Sequence, residues 1–379
     1  MRRILYFIII VSFLDTFIQL PIITPYSIEL GASHLLTGAI VAVYSLTNMV
    51  GNIFGGHWID RYGRKKMLFT GMLAAAVILV FYPLAQNGYH LFIIRFLHGL
   101  AGGILIPAAF AYVGDRSNKK TRGRTMALTG ASIGTAAIVG PAIGGAMAAR
   151  ASVEYVFIFV AILFIICTIL IAKYVEESYT PTDRGKLSFN EFLPLLKNPL
   201  VLQASLAAFA LMISNGTFAF AFPLKVEEMG MTSEITGMLL SIYGIVAIIV
   251  FLTPLNRIYD RFSPVTLVAI GIGLIGFVHI MLNIISIFWV IVILMVVYGV
   301  GFAFVFPSMN RIVADASTKV DRGKAYGIFY AFFSLGVIAG SFVSGATSDL
   351  IGLPFLSSAI TMVLVVGILL VMDKKITAK

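Results

Sequence analysis

The chain has 379 residues, of which 59% are hydrophobic and only 12% are charged, and its mean hydropathy is +0.99. Soluble domains are about 45–50% apolar and about 25% charged, so this composition excludes a soluble globular protein. The net charge of +10 invites comparison with nucleic-acid-binding proteins, but the basic residues lie in the gaps between apolar runs. That placement is typical of membrane topology, and we expect no nucleic-acid partner.

Apolar runs long enough to cross a bilayer, about 20 residues each, recur along the whole chain. We expect helices, because a transmembrane barrel would show alternating segments of about 10 residues instead. The first run follows two arginines, as in a signal peptide, but it is span-length and carries Asp15, so we assign it to span 1. The twelve predicted spans are 4–26, 35–57, 67–87, 89–114, 123–149, 153–173, 200–224, 234–256, 264–283, 286–313, 323–348 and 353–372.

The basic residues also predict the orientation of the spans. With both termini in the cytoplasm, every Lys and Arg lies on the cytoplasmic side except Arg95, Arg150 and Lys225. This asymmetry is the positive-inside pattern of membrane proteins. We therefore expect a multi-pass protein of the cell membrane (inner or plasma membrane), in contact with membrane lipids, and we expect a monomer.

The two halves of the chain repeat each other at a spacing of 200 residues. Two parallel six-span repeats that rock about a central site are the arrangement of alternating-access transporters. We predict an N-terminal bundle at 1–173, a cytoplasmic linker at 174–199 with a short capped helix from Ser188, and a C-terminal bundle at 200–379. The repeated positions include Asp60 and Asp260, Gly99 and Gly299, Pro107 and Pro307, Asp115 and Asp315, Gly140 and Gly340, and Gly145 and Gly345.

Two motifs are specific enough to indicate a family. The loop after span 2 reads Gly56-His57-Trp58-Ile59-Asp60-Arg61-Tyr62-Gly63-Arg64-Lys65, and span 5 contains Gly140-Pro141-Ala142-Ile143-Gly144-Gly145. Over essentially its whole length the chain resembles the major facilitator superfamily, and within it the twelve-span drug–proton antiporters. The resemblance implies an all-α membrane protein with the major facilitator fold, in which 12 transmembrane helices form two pseudo-symmetric six-helix bundles. Two positions depart from the family pattern: His98 replaces the usual Gln, and Ala136 replaces a leading Gly.

The same motifs supply the candidate gating residues. The resemblance implies that Asp60 lies against the start of span 11, where free backbone N–H groups favour an anion, and that Arg64 pairs with Asp115. It also implies that the kinked span 5 seals against span 8. The alternative is that the cations only anchor the topology and that the glycines only permit close helix packing. The candidates are Gly56, Asp60, Arg61, Gly63, Arg64, Asp115, Gly140, Pro141, Gly144 and Gly145.

Asp15 and Arg95 are the predicted proton-coupling residues, because both fall inside apolar spans. An ionised carboxylate there costs roughly 2.5–3.5 kcal/mol, so it needs a partner, a proton or water. Measured from the outer ends of their spans, Asp15 lies about 14 Å deep and Arg95 about 9 Å deep, so a direct pair is geometrically reasonable. Burial favours the protonated acid and a nearby cation favours the ionised acid, so a change in this balance moves a proton. The alternative is a fixed salt bridge that only locks two helices together.

The repeat partners of these charges are Asn215 and Met295, so we expect proton coupling in the N-terminal half and a more neutral wall in the C-terminal half. An aromatic and methionine-rich wall suits varied amphipathic ligands, although most Phe and Met residues must simply pack or face lipid. His98 is either a proton relay or a packing histidine. The predicted substrate-cavity residues are Gln19, His98, Asn215, Phe222, Tyr298 and Phe302.

The sequence thus predicts a secondary active efflux transporter that exports small amphipathic or cationic compounds in exchange for protons. The alternative is a proton-coupled exporter of a specific metabolite, such as a sugar, a siderophore-type chelator or a lipid. A membrane enzyme or receptor is the competing class, but the chain has no nucleotide-binding loop, metal-spaced His/Cys set or nucleophile constellation. We expect no catalytic residue, no cofactor and no metal, and the lone Cys167 excludes an intramolecular disulfide.

Overall fold

The computed structural model describes residues 2–115, 122–178, 193–317 and 322–377, and every regular element in these ranges is helical. Short 3-10 turns occupy Tyr82–Leu84 and Pro254–Arg257. The helices are α1 Arg2–Ile18, α2 Ile23–Glu29, α3 His34–Tyr62, α4 Arg64–Leu79, α5 Gly88–Asp115, α6 Arg122–Arg150, α7 Val153–Tyr174, α8 Leu193–Leu196, α9 Pro199–Glu228, α10 Ser233–Leu252, α11 Ile258–Arg261, α12 Pro264–Ile284, α13 Phe288–Asp315, α14 Arg322–Ile351 and α15 Leu356–Thr377.

Eleven helices in the described ranges are long and apolar enough to cross a membrane, and α1 with α2 adds a twelfth if the pair is one span. The predicted all-α membrane architecture is therefore confirmed. Span 1, expected to be continuous over 4–26, is instead bent by 47° between α1 and α2. Pro21 explains the break, because it has no N–H to donate to the carbonyl of Phe17, which accepts from Leu20 at 3.3 Å instead.

The chain forms two compact units. The first comprises Met1–Gly185 with Val226–Ser241, and the second comprises Lys186–Lys225 with Ile242–Lys379. Residues 226–241 belong to the first unit because the start of α10 packs against α6: the Ser241 hydroxyl donates to the Ile138 carbonyl at 2.6 Å. The bundle boundaries proposed from the sequence stay a prediction. The positions predicted to cap the linker helix lie outside the described residues, and the described part of that segment contains the four-residue α8.

Both units use the same helix pairings. In the first, α1 packs on α6, α3 along α5, and α4 on α5 and α7. In the second, α9 packs on α14, the later part of α10 on α13, and α12 on α13 and α15. Glycine permits the close approach in each: a Cβ on Gly140 would lie 2.8 Å from that of Phe17, and the equivalent Gly340 lies directly against Ile213 of α9. In the first unit these pairings bring α1, α3 and α5 together around polar residues.

Candidate functional site

Asp15 is the buried acid at the centre of the site. It lies in the last turn of α1, and only 3% of its surface is exposed. The Gln19 amide donates a hydrogen bond of 2.8 Å to one carboxylate oxygen, and Nε2 of His98 lies 3.2 Å from the other. The histidine contact is short, but Nε2 makes no hydrogen bond to Asp15 or to any other residue that the structure describes.

Gln19 separates the acid from the arginine. Arg95, on α5, is 5% exposed, and its Nη1 donates to the amide oxygen of Gln19 at 2.5 Å. The Arg95 guanidinium also lies 4.4 Å from the centre of the Tyr44 ring on α3, within cation–π range, and Nε donates to the Ile40 carbonyl at 3.4 Å. The expected direct Asp15–Arg95 pair is therefore wrong for this conformation. The Gln19 amide bridges the two charges, because Gln19 lies four residues, about one helical turn, after Asp15.

His98 lies between Asp15 and Tyr82. The Tyr82 hydroxyl is 2.9 Å from His98 Nδ1, and Tyr82 stacks on Phe157 of α7 with ring centres 4.0 Å apart. A carboxylate can only accept, so the arrangement favours the tautomer that carries its hydrogen on Nε2, facing Asp15. Nδ1 then accepts from Tyr82. This geometry gives the imidazole a fixed orientation toward the acid.

The charges in this cluster are linked through one amide. The Asp15 carboxyl group and the Arg95 guanidinium both bond to Gln19, and the Tyr44 ring faces the guanidinium. A change of charge at either group therefore has a large electrostatic effect on the other.

The predicted cavity residues fall into two groups. Gln19 and His98 belong to the cluster around Asp15, in the first unit. In the second unit, Phe222 and Tyr298 are buried, whereas Asn215 and Phe302 are half-buried. The shared substrate cavity of these six residues therefore stays a prediction.

A polar group in the second unit was missed from the sequence. The Ser214 hydroxyl lies 2.7 Å from Nε2 of His279 and 2.9 Å from the Tyr298 hydroxyl. Phe218 stacks against Tyr298 and against His279, with ring centres 4.6 Å and 4.9 Å apart. A histidine in the apolar run of span 9 was the available signal, because ionisable residues inside spans are rare. Tyr44 and Tyr82 gave no comparable signal, since they are two of 15 tyrosines.

The loop between α3 and α4 carries the first set of gating candidates. Gly63 has φ of 96°, a conformation that L side chains rarely adopt, and it separates the two helices. The Glu177 carboxylate accepts from the backbone N–H of Arg64 at 2.8 Å and of Lys65 at 3.1 Å, so it caps the start of α4. Arg61 is exposed. The side chains of Gly56, Asp60 and Asp115 lie outside the described residues, so the predicted Asp60 and Asp115 contacts stay predictions.

In the second set, Pro141 and Gly145 lie where α6 meets the start of α10, whereas Gly140 and Gly144 lie against Phe17 and Ile18 of α1. Gly237 of α10 is against the Pro141 carbonyl, and Gly145 of α6 is against the Ser233 carbonyl, at distances that leave no room for a Cβ. Ser233 donates to the Gly145 carbonyl at 3.2 Å, and Arg150 pairs with Glu234 at 2.7 Å. The first unit thus contains a tight helix contact at the residues for which the sequence predicts a seal.

Comparison with known proteins gives one family. The sequence profile of the Major Facilitator Superfamily matches residues 5–213 and 204–379. Multidrug resistance protein MdtG of Salmonella paratyphi A (strain ATCC 9150 / SARB42) is 25% identical over 348 residues, covering 90% of this chain and 85% of that protein. Multidrug resistance protein 2 of Bacillus subtilis (strain 168) is 24% identical over 379 residues, covering 97% and 94%. A solved POT family transporter in complex with 5-aminolevulinic acid has a similar fold, with a TM-score of 0.81 at 15% identity, over 99% of this chain and 96% of that one.

Proposed function

The chain belongs to the Major Facilitator Superfamily, and on that premise we propose that it exports small amphipathic or cationic compounds in exchange for protons by alternating access. It is a multi-pass membrane transporter and not an enzyme. Export of varied compounds is supported by its relatives, which carry the name multidrug resistance protein and align over nearly the whole chain.

The observation that carries the proton-exchange proposal is the buried Asp15 with its three polar neighbours. Gln19 hydrogen-bonds one carboxylate oxygen, His98 faces the other, and Arg95 is held one amide away. A cluster that served only to lock helices together would gain more from direct contact between the charges. The inserted amide keeps Asp15 close to a cation without committing it to a permanent ion pair.

The exchange follows from charge balance. An ionised Asp15 attracts a cationic substrate or a proton, and the two compete for the same oxygens. When a proton binds, the cluster gains one positive charge and repels a cationic substrate, which favours its release. Release of the proton on the opposite side of the membrane returns Asp15 to its ionised form, which can then bind substrate again. Alternating access then converts this competition at Asp15 into antiport.

The location and orientation are part of the proposal. We place the protein in the cell membrane with both termini in the cytoplasm, because that orientation puts nearly all Lys and Arg residues on the cytoplasmic side. Membrane lipids and a small-molecule substrate are its expected partners, and we expect it to act as a monomer.

The test is transport in proteoliposomes with an imposed pH gradient and a lipophilic cationic dye. Asp15→Asn keeps the shape and the hydrogen-bonding oxygen but cannot ionise. We expect this variant to lose gradient-driven accumulation and to retain exchange of the dye down its own gradient. Asp349→Asn is the matched control, because Asp349 is an exposed acid on α14 in the second unit. Parental pumping by Asp15→Asn would overturn the proposal.

Substrate breadth needs a separate measurement. Expression in a drug-sensitive host followed by resistance profiling should raise tolerance to several chemically unrelated lipophilic cations. Protection confined to one chemical class would favour the exporter of a specific metabolite instead, with the same proton machinery.

A further inference from the structure

A small space opens beside the lower-numbered end of α12 and the second half of α13, in the second unit. It has a volume of about 60 Å³ and is lined by Tyr259, Pro264, Leu267, Pro307, Ser308 and Arg311. Because about 10–15 Å³ of such space is enough for one water molecule, the space holds a few waters. It is therefore too small for an organic substrate but of the right order for a single tetrahedral oxyanion.

The walls of this space are held by polar contacts. Pro307 has no N–H, so the carbonyl of Ala303 lacks its helical partner, and the Tyr259 hydroxyl donates to it at 2.7 Å. Burial raises the pKa of Tyr259 to about 12, so the phenol stays a neutral donor at physiological pH. Arg311 Nη1 in turn donates to the Tyr259 carbonyl at 3.1 Å. The loop, α13 and the arginine are thus tied together around the space.

Ser308 supplies an unpartnered polar group. It is 3% exposed, and its hydroxyl has no hydrogen-bond partner among the residues the structure describes. A helical serine usually satisfies its hydroxyl by bonding to the carbonyl three or four residues earlier, as Ser205 does with the Val201 carbonyl in α9. A buried hydroxyl left without a partner costs free energy, so its position on the wall of the space indicates a bound group.

Two further features favour a negative charge there. The space borders the start of α12, whose helix dipole makes that end positive. Arg311 is exposed and has five N–H donors, of which one bonds Tyr259 and Nε faces Asp315 at 3.7 Å. The donors of its second terminal nitrogen have no partner in the described part of the chain. Arg257 and Arg261 add positive charge on the same loop.

We propose that this space is a phosphate-binding site, in which the Ser308 hydroxyl and the Arg311 guanidinium donate to the phosphate oxygens beside the start of α12. Arginine binds phosphate through two parallel hydrogen bonds, which suits a fixed, half-open site. The phosphate belongs either to the headgroup of an anionic lipid, since cation clusters at membrane-flanking loops attract such lipids, or to a free phosphate in solution. The same chemistry recognises both sources.

The test measures binding by thermal unfolding of the purified full-length protein in neutral detergent. Short-chain phosphatidylglycerol, inorganic phosphate and short-chain phosphatidylcholine are titrated separately, because a ligand that binds the folded protein raises Tm in a saturable way. The variants are Ser308→Ala, Arg311→Gln and Arg311→Lys, which keeps the charge but lacks the planar fork. Arg257→Gln is the matched control, because it removes an equal charge from the same loop at a residue that does not line the space.

We expect phosphatidylglycerol or inorganic phosphate to raise Tm. Each of the three variants should weaken the binding of that ligand roughly tenfold, as for loss of a hydrogen bond to a charged group. Arg257→Gln should keep the parental affinity. Tighter binding of phosphatidylglycerol than of phosphate identifies a lipid headgroup, and equal binding identifies a soluble phosphate. The proposal is overturned if neither ligand gives a saturable shift, if Arg257→Gln weakens binding as much as Arg311→Gln, or if Ser308→Ala, folded as judged by its own Tm, binds as the parent does. The readout is binding alone, so it is independent of whether the protein pumps protons.

Discussion

Nε2 of His98 lies 3.2 Å from Asp15 Oδ2, while the opposite ring nitrogen contacts the Tyr82 hydroxyl at 2.9 Å. The imidazole therefore joins the buried acid to a buried phenol. Its role is either to hold the carboxylate in place or to share the proton with it, and the two roles respond differently to substitution.

We expect His98→Gln to retain gradient-driven transport, because a glutamine amide can still donate toward Asp15. His98→Leu should lose it, since the substitution leaves the Tyr82 hydroxyl unpaired, at a cost of about 1–3 kcal/mol for a buried group, and removes the polar ring that faces Asp15. Transport per folded protein and Tm, measured in parallel, separate lost function from lost stability. A Gln variant as inactive as the Leu variant would show that the titratable ring itself is required.

The Gln19 bridge makes a second prediction. In Gln19→Leu, nothing separates the long Arg95 side chain from Asp15, so we expect the two to form a direct ion pair. Such a pair would hold the acid ionised. We expect it to reduce proton-driven transport by more than tenfold, because the free energy of one buried contact between opposite charges is larger than that of a tenfold change. The measurement is dye accumulation in proteoliposomes as a function of the imposed pH gradient.

Gln203→Leu is the control for that change. Gln203 is also buried, on α9, but within the described ranges its amide donates to the Leu369 carbonyl alone, at 3.4 Å. We expect this variant to keep its transport per folded protein. If both leucine variants lose transport to the same degree, a buried glutamine matters for packing and the bridge has no special role.

These contacts show how far the sequence reaches. Composition and the recurring apolar runs of about 20 residues determine that the chain crosses a membrane many times, because each span must form its own backbone hydrogen bonds. Asp15 and Arg95 could be selected because a charge in an apolar run is costly. Their relationship could not, because it depends on how α1 packs against α5, and so on whether the Gln19 amide or the Asp15 carboxylate meets Arg95. The distance estimates along each span carried no information about a third residue between them.

Glu177 illustrates a different reason for failure. It follows α7 in the polar linker, 113 residues after Arg64. Its carboxylate accepts a hydrogen bond from the backbone N–H of Arg64. Acidic residues in linkers are common, and nothing in the local sequence distinguishes a helix cap from a solvated side chain. Only the packing of α4 against α7 brings the two segments together.

We expect Glu177→Gln to destabilise the folded protein by about 0.5–2 kcal/mol, the usual range for losing a helix N-terminal cap. The glutamine oxygen can still accept from one of the two N–H groups, but the negative charge at the positive end of α4 is lost. Tm in detergent is the measurement. Glu228→Gln, an exposed acid at the end of α9, provides the comparison and should leave Tm unchanged. Equal Tm for the two variants would contradict the capping role.

The ion pair between Arg150 and Glu234 should contribute little by itself. Its atoms approach to 2.7 Å, but the arginine side chain is 74% exposed, so solvent screens the attraction. We expect a double-mutant cycle with Arg150→Gln and Glu234→Gln to give a coupling below about 1 kcal/mol that shrinks further in high salt. A larger coupling, insensitive to salt, would mean that the pair is buried in the dominant conformation.

The glycines beneath that pair should matter far more. A Cβ on Gly237 would collide with the Pro141 carbonyl, and backbone cannot move aside as a flexible side chain can. Gly237→Ala must therefore push α10 away from α6. We expect it to increase passive proton leak through proteoliposomes and to lower Tm, because the contact between these two helices is lost. Gly273→Ala is the matched control: Gly273 is in the interior of α12, and a Cβ added there would meet no heavy atom within 4 Å beyond its own helix backbone. Because the added methyl meets no neighbour, it should be neutral or should stabilise by up to about 1 kcal/mol through higher helix propensity. A Gly237→Ala protein that stays as tight and as stable as Gly273→Ala would show that the close contact of α6 with α10 has no part in sealing the pathway.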